Sequence, residues 1–530
     1  MRRREYLRSA VGAAGLAGLA TTTPSVLGAD DASPSTAASD RPAPGAVTTT
    51  TGGETFAPMA RLPVGDDRVA EAVTTPDGRH AFVATYTGFR VVDLADPANP
   101  EIVAGRDDVL SDRGPMESVK DVKYNRDRLL VAADRNSSFT GVALFDVRDR
   151  TAPRLLGGYR TPYGVHNCDL HGEYAYLTTG SELEVLDVSG TPEPVARWSV
   201  VDYDDAYEDV PSILRNLHDV YVQGDRAYLA YWDAGAWILD VSDPTDPEYV
   251  GHGVDYTAEE LASDDVGTFE RFIEPPGNAH YVQPNDDGTL LAVGREAWDA
   301  EGDDEEGDTG GPGGITLWDT TDPSAPERRA TIDPPPMPEG RSPTRGGYWT
   351  TAHNFDIVGE YLYSSWYQGG VKVHDVSEPA SPEELAHWED GEATQFWTAQ
   401  AAIPGEYLVA TNYTSPDDSE PVGLFVFPDP TDNPATITPS GPPVEISTPT
   451  ATPTETPELT PTQTPTATPT PTSTESPTPS PTVSPTGTPT STGDSTTTGT
   501  GPGFGPLAAL AALGVGAWRV VRDGERRRED

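Results

Sequence analysis

The sequence predicts an all-β fold, a β-propeller of seven four-stranded blades, followed by a Thr/Pro stalk and a C-terminal hydrophobic helix. Three observations lead there. A unit of the form "GVKVHDVSEPASPEELAHW" (from Gly370) occurs six times. Two further segments of alternating polarity precede it in each copy. A seventh, degraded copy closes the series.

The six units start at Gly88, Gly141, Ser181, Gly235, Gly314 and Gly370; two of them read "GFRVVDLADPANPEIVAG" and "GAWILDVSDPTDPEYVGH". In the last unit Val371 and Val373 alternate with Lys372 and His374, the two-residue period of a half-buried strand. A shared aspartate follows at Asp93, Asp146, Asp187, Asp240, Asp319 and Asp375. The prolines after it cannot continue a ladder, and a short carboxylate there bonds the backbone of the turn. The repeated aspartates are therefore structural. A shorter strand follows each turn. Upstream, pairs such as "AHNFDIVG" and "EYLYSSWYQ" supply two more strands, which makes four strands in roughly 50 residues, the size of a propeller blade. In the degraded unit "GLFVFPDPTDNP", Val426 stands where the aspartate belongs and no outer strand follows. "FAPMARLPVG" (56–65) has the character of an outer strand with no blade before it. The expectation is a ring over residues 54–434 closed by this N-terminal strand, which removes open sheet edges. "ATIT" (435–438) is the rival donor.

The units resemble the LVIVD repeat, named for the strand that here reads "VVDLADP" and "ILDVSDP". The resemblance implies a propeller on a bacterial or archaeal surface.

The chain ends read as addresses. Residues 1–29 place a basic patch before an Ala/Gly-rich apolar run, the form of an export signal. Arg3 and Arg4, with Tyr6, Leu7 and Arg8, closely resemble the twin-arginine signal, which implies export of the folded protein by the twin-arginine translocase. Residues 30–53 form a polar linker. Residues 435–501 form a Thr/Pro-rich stalk, in which proline favours extended polyproline II and the hydroxyls suit O-glycans. Residues 502–530 join Pro502-Gly503-Phe504, an apolar run from Gly505 to Val521 and a basic cluster. They resemble the PGF-CTERM sorting signal of archaeal surface proteins. The resemblance implies an archaeosortase as partner and a lipid in place of the tail; a plain membrane anchor is the alternative. Either way the globular part faces the outside of the cell membrane. Asn136 and Asn412 head N-glycosylation sequons.

The formal net charge is −50, with 85 acidic residues against 35 basic ones. Such a surface repels nucleic acid and anionic lipid, and it keeps a protein soluble at very high salt, as in haloarchaea. The acidic run "DAEGDDEEGD" lacks the ligand spacing of a calcium loop. Cys168 is the single cysteine, so no intramolecular disulfide forms, and its expected role is that of a buried inert thiol.

Aligning the innermost strands puts "GVHNCDL", "NLHDVYV", "NAHYVQP" and "TAHNFDI" in one register. His166, His218, His280 and His353 then share a column, with Glu71 in blade one, Lys120 in blade two and Ala399 in blade seven. An arc of neutral imidazoles at one mouth of the channel suits copper, zinc or iron, and Glu71 adds a carboxylate. Packing and backbone capping by duplicated residues are the other account. Tyr163, Trp349, Trp366 and Trp397 belong near the same mouth, lining a glycan or peptide site or filling the wedges between blades. The function expected is a binding or scaffold module of the cell surface with an extracellular protein or glycan as ligand. The alternative is a metal-dependent oxidoreductase resembling the selenium-binding and methanethiol oxidase propellers, a likeness of fold without their longer motifs. No nucleophile elbow, P-loop or Rossmann fingerprint occurs.

Overall fold

A computed structural model describes residues 47–50 and 56–431, except 66, 108, 111, 113, 135–137, 264–267 and 301–309. Seven antiparallel sheets follow one another along the chain. Their innermost strands are Ala72–Thr74, Val119–Asn125, Cys168–His171, Asp219–Gln223, Ala279–Pro284, Phe355–Val358 and Gln395–Ile403. Each packs on the next, and the last packs on the first, so the sheets are the blades of a closed propeller.

Closure is made at the N-terminus. Ala60–Pro63 pairs antiparallel with Gly423–Pro428, from Ala60↔Val426 to Pro63↔Gly423, and completes blade seven. Phe56 reinforces it by stacking on Phe427 at 5.3 Å. The rival donor, 435–438, lies outside the described residues, and its place is already taken. Val47–Thr50 falls in the segment read as linker. It instead adds a fifth strand to blade six, antiparallel to Glu383–Glu389. Four β-branched residues in a row suit an open sheet edge.

Polarity alternates in Val371–Asp375 as expected, but exposure does not: only Asp375 escapes burial. Sheets in a ring are covered on both faces by their neighbours, so even the polar residues are packed. Lys372 is tolerated because it ion-pairs with Glu384 at 3.1 Å and lies over the Trp366 ring. The wedges are filled by aromatics. Trp366 is fully buried, and Trp237 stacks with His252 beside Trp198, Tyr207 and Tyr231.

The six repeat aspartates have one local geometry. Oδ1 of Asp93, Asp146, Asp187, Asp240, Asp319 and Asp375 accepts the amide two residues on, at 2.8–3.1 Å. The Ser242 hydroxyl and amide, with Arg226, hold Asp240 down at about 2, and the Arg329 guanidinium with the Thr321 amide holds Asp319 down at about 2. In blade seven the same turn is made by Asp429, which accepts from Thr431 N.

Asn412 is buried; its Nδ2 donates to Pro421 O and its Oδ1 accepts from Gln395 N. The folded blade therefore presents no glycan acceptor there, a correction to the sequon reading. Asn136, Arg3, Arg4, Pro502, Gly503 and Phe504 lie outside the described residues, as do the leader, stalk and tail. Among the described residues no helix is long and apolar enough to cross a membrane.

Deleting residues 56–64 removes the closing strand and the Phe56 stack. The thermal midpoint should fall by about 10 °C, several kcal/mol for a domain of this size. An unchanged midpoint in calorimetry would show that the ring closes elsewhere.

Candidate functional site

Seven backbone amides set the geometry of one mouth of the ring. In each blade, one residue near the start of the innermost strand donates its N–H to a backbone carbonyl of the preceding blade. The pairs are Val119 to Tyr86, Val165 to Ala133, Leu217 to Gly180, Ala279 to Trp232, Ala352 to Gly313, Phe396 to Tyr367 and Val69 to Tyr413, at 2.8–3.3 Å. The next residue in each blade therefore occupies an equivalent place. This column holds Ala70, Lys120, His166, His218, His280, His353 and Trp397.

Two entries of the expected column change. Glu71 is one residue past it; Ala70 takes the place. A slip of one residue sends a strand side chain to the opposite face. In blade seven the occupant is Trp397, two residues before Ala399, because Gln395–Ile403 is bulged on both sides of Phe396. The four histidines and Lys120 stand in the column as expected.

The column side chains touch in sequence around the ring. Lys120 Nζ lies 3.1 Å from Asp134 Oδ2, which His166 Nδ1 also contacts at 3.1 Å. Ring centroids then step from His166 to His218 at 4.6 Å, to His280 at 3.8 Å, to His353 at 4.8 Å and to Trp397 at 4.2 Å. Trp397 meets Tyr413 at 5.0 Å, and the Tyr86 hydroxyl bonds that of Tyr413 at 3.3 Å. Tyr86 returns to blade two through its paired backbone bonds with Val119. Tyr86, Trp232 and Tyr367 hold equivalent loop positions with φ of 64°, 31° and 45°. Bulky residues rarely adopt that conformation, and the bridges to the next blade hold them in it. Trp349 is half-buried against Trp298 and Tyr367, while Tyr163 is exposed.

Hydrogen bonds decide which imidazole nitrogen carries its lone pair. His353 Nδ1 faces Trp397 O at 2.6 Å, and His218 Nδ1 faces His280 O at 2.8 Å. A carbonyl only accepts, so both Nδ1 atoms carry the proton and both Nε2 atoms the lone pair. Burial holds His218 and His280 well below the ordinary histidine range and His353 down at about 3, so these rings are neutral. His280 Nε2 lies 3.1 Å from His353 Nε2, and His280 Nδ1 lies 3.2 Å from Glu296 Oε2. Glu296 Oε1 accepts from the Tyr367 hydroxyl at 2.6 Å. Among the described residues, His280, Glu296 and His353 are the one group of three able to hold a metal ion.

Glu296 was missed in the sequence. It sits in "GREAW", just after the strand Leu290–Arg295. The signal was available: it occupies the same loop position as Asp134, Trp232 and Tyr367, each of which contacts a column histidine.

The chain carries four LVIVD repeats. They match residues 77–106, 165–201, 215–253 and 351–389, which fall in blades one, three, four and six. The other blades share their architecture without matching the repeat. No curated protein matches the sequence. Among solved structures, the Cps50 (Swd1) β-propeller domain of Myceliophteria thermophila is similar at 12% identity and a TM-score of 0.45, over 70% of this chain and 99% of that one. The computationally designed Ika8 protein is similar at 8% identity and a TM-score of 0.42, over 70% and 99%.

Beside the column, the ring buries a tier of acids; one of them, Asp219, caps backbone at a blade junction as the His218-Asp219 pair leads us to expect. Asp121 Oδ2 accepts Cys168 N at 2.8 Å, Asp169 Oδ2 accepts Val222 N at 2.6 Å, Asp219 Oδ2 accepts Val282 N at 3.0 Å and Asp356 Oδ2 accepts Ala401 N at 3.1 Å. Each acid therefore grips the innermost strand of the next blade. Glu71 belongs to this tier, where Asn354 and Gln400 donate to it. Burial raises Glu71 to about 7, Asp169 and Asp356 to about 6 and Asp219 to about 8. Burial opposes the charge on Lys123, but Asp121 (2.5 Å away) and Glu71 outweigh it and hold the ammonium above its usual range. Cys168 is buried in the same tier, its thiol pushed up by burial and by Asp121, which leaves it unreactive.

Asp219 generates a prediction whose sign is fixed by its raised value. Between about pH 4, where it titrates in the unfolded chain, and about pH 8, the folded chain holds the extra proton. Stability from this group is full below pH 4 and is lost as pH rises to 8. Asp219→Asn keeps an acceptor for Val282 N but does not ionise. Its stability relative to the wild type should grow from pH 4 to 8 in denaturant melts and then level. Asp219→Ala should be less stable than Asp219→Asn by about 1–3 kcal/mol at every pH, for an orphaned buried amide. Parallel pH profiles for Asp219→Asn and the wild type would refute the raised value.

Proposed function

We propose that this LVIVD-repeat propeller is a surface-held binding module whose mouth receives an extracellular glycan or peptide. One observation carries the reading: imidazole, indole, phenol, ammonium and carboxylate groups from all seven blades gather in one contact circuit. Lys120 and His166 in that circuit stay partly open to solvent. Convergent polar groups among aromatic walls are what a saccharide or peptide site needs. The backbone bonds that fix the circuit pre-organise it, which lowers the ordering cost of binding. Surface placement rests on the leader, the stalk and the PGF-bearing tail. The acidic composition supports work at high salt.

Placement and binding are tested separately. Arg3→Lys/Arg4→Lys should leave the protein in the cytoplasm, and loss of residues 502–530 should release it into the medium, as read by fractionation. Secreted protein on glycan and peptide arrays should lose at least tenfold in affinity with Lys120→Ala/His166→Ala. Array binding that survives this double change would place the ligand elsewhere.

A further inference from the structure

With Glu296 ionised, the imidazole of His280 lies between two groups that a neutral ring cannot both satisfy. On one side is His353 Nε2, 3.1 Å away, which carries a lone pair because Nδ1 of that ring is committed to Trp397 O. On the other is Glu296 Oε2, 3.2 Å from His280 Nδ1. A proton on His280 Nε2 leaves its Nδ1 lone pair against the carboxylate. A proton on Nδ1 leaves two Nε2 lone pairs opposed. His280 is 3% and His353 2% exposed, so little water is at hand to separate them. His280 Nδ1 also makes no well-directed hydrogen bond despite its closeness to Glu296.

What this arrangement wants is a cation. We propose that His280, His353 and Glu296 form a binding site for one divalent transition-metal ion, held by two imidazole nitrogens and one carboxylate with positions left open toward the mouth. The spacing suits it. Zinc–nitrogen bonds are about 2.0–2.1 Å, so an ion equidistant from the two Nε2 atoms sees them at about 100°, between tetrahedral and octahedral angles. Ligand atoms of all three residues lie within 4.8 Å of one another. Two histidines and one carboxylate on one side of an ion leave room for an exogenous ligand, as in zinc and non-haem iron sites. The ligands are already oriented: His353 by Trp397 O and Glu296 by the Tyr367 hydroxyl. The site does not depend on the glycan or peptide reading, and either can fail alone.

The test uses the full chain exported through its own signal, stripped of metal and titrated with Co²⁺ and Zn²⁺. The expected result is one ion per chain, displacement of Co²⁺ by Zn²⁺ and Co²⁺ absorption bands of nitrogen ligation. His280→Gln and His353→Gln should each weaken binding about 100-fold or more. Glu296→Gln should weaken it about 10- to 100-fold. His171→Gln, at the end of an innermost strand outside the column, should leave it unchanged. Should the histidine variants fail to fold, nitrogen hyperfine coupling in the wild-type Cu²⁺ spectrum decides the matter. Two nitrogens support the site, and oxygen-only ligation overturns it. So does a folded His280→Gln or His353→Gln variant that binds as tightly as the wild type. Absence of stoichiometric binding would mean that a proton shared between His280 and Glu296 takes the place of the ion, and the proposal would fail.

Discussion

One amide per blade, given to a carbonyl of the blade before it, ties the ring together at its mouth. The innermost strand of a propeller blade has a ladder partner on one edge only. Its other edge carries backbone groups that cannot stay unpaired inside a protein. Passing one of those amides to the neighbouring blade satisfies it and sets the angle between the blades. It also fixes which residue comes next, and that residue is the column residue. The histidine arc, Lys120 and Trp397 stand where they do because the amides before them are committed.

The buried acids extend the same solution. Asp121, Asp169, Asp219 and Asp356 accept further amides across four junctions. Burying a carboxylate is costly unless it is bonded, and the raised values of Asp169, Asp219 and Asp356 show the cost incompletely offset. Lys123, placed against Asp121 and Glu71, neutralises part of the charge. Very few of the acids are used this way. The remaining surplus behind a net charge of −50 acts on solvation.

Column and acid tier have opposite chemistry one or three residues apart. The column presents His218, His280 and His353 as neutral imidazoles, with Glu296 beside them and partial access to solvent at His166 and Lys120. The tier is closed, hydrogen-bonded and structural. Glu71 has the residue type of the first and the surroundings of the second, which is why its register matters.

Period-two alternation, the Asp-Pro turns and the repeat count determined the strands, the blades and the closing role of residues 56–65, because those features are local and recur. The histidine column was legible for the same reason: duplication keeps a residue at a constant distance from its turn. Three things were decided only by tertiary structure. The Glu71 slip follows from a backbone bond to Lys120 O in another blade. The Trp397 position follows from bulges in one strand. Glu296 joins His280 and His353 from the loop after Leu290–Arg295, where the Tyr367 hydroxyl of the next blade donates to it. The first and third are contacts between residues distant in sequence, and local periodicity carries no information about which carbonyl a given amide will find or where a strand will bulge.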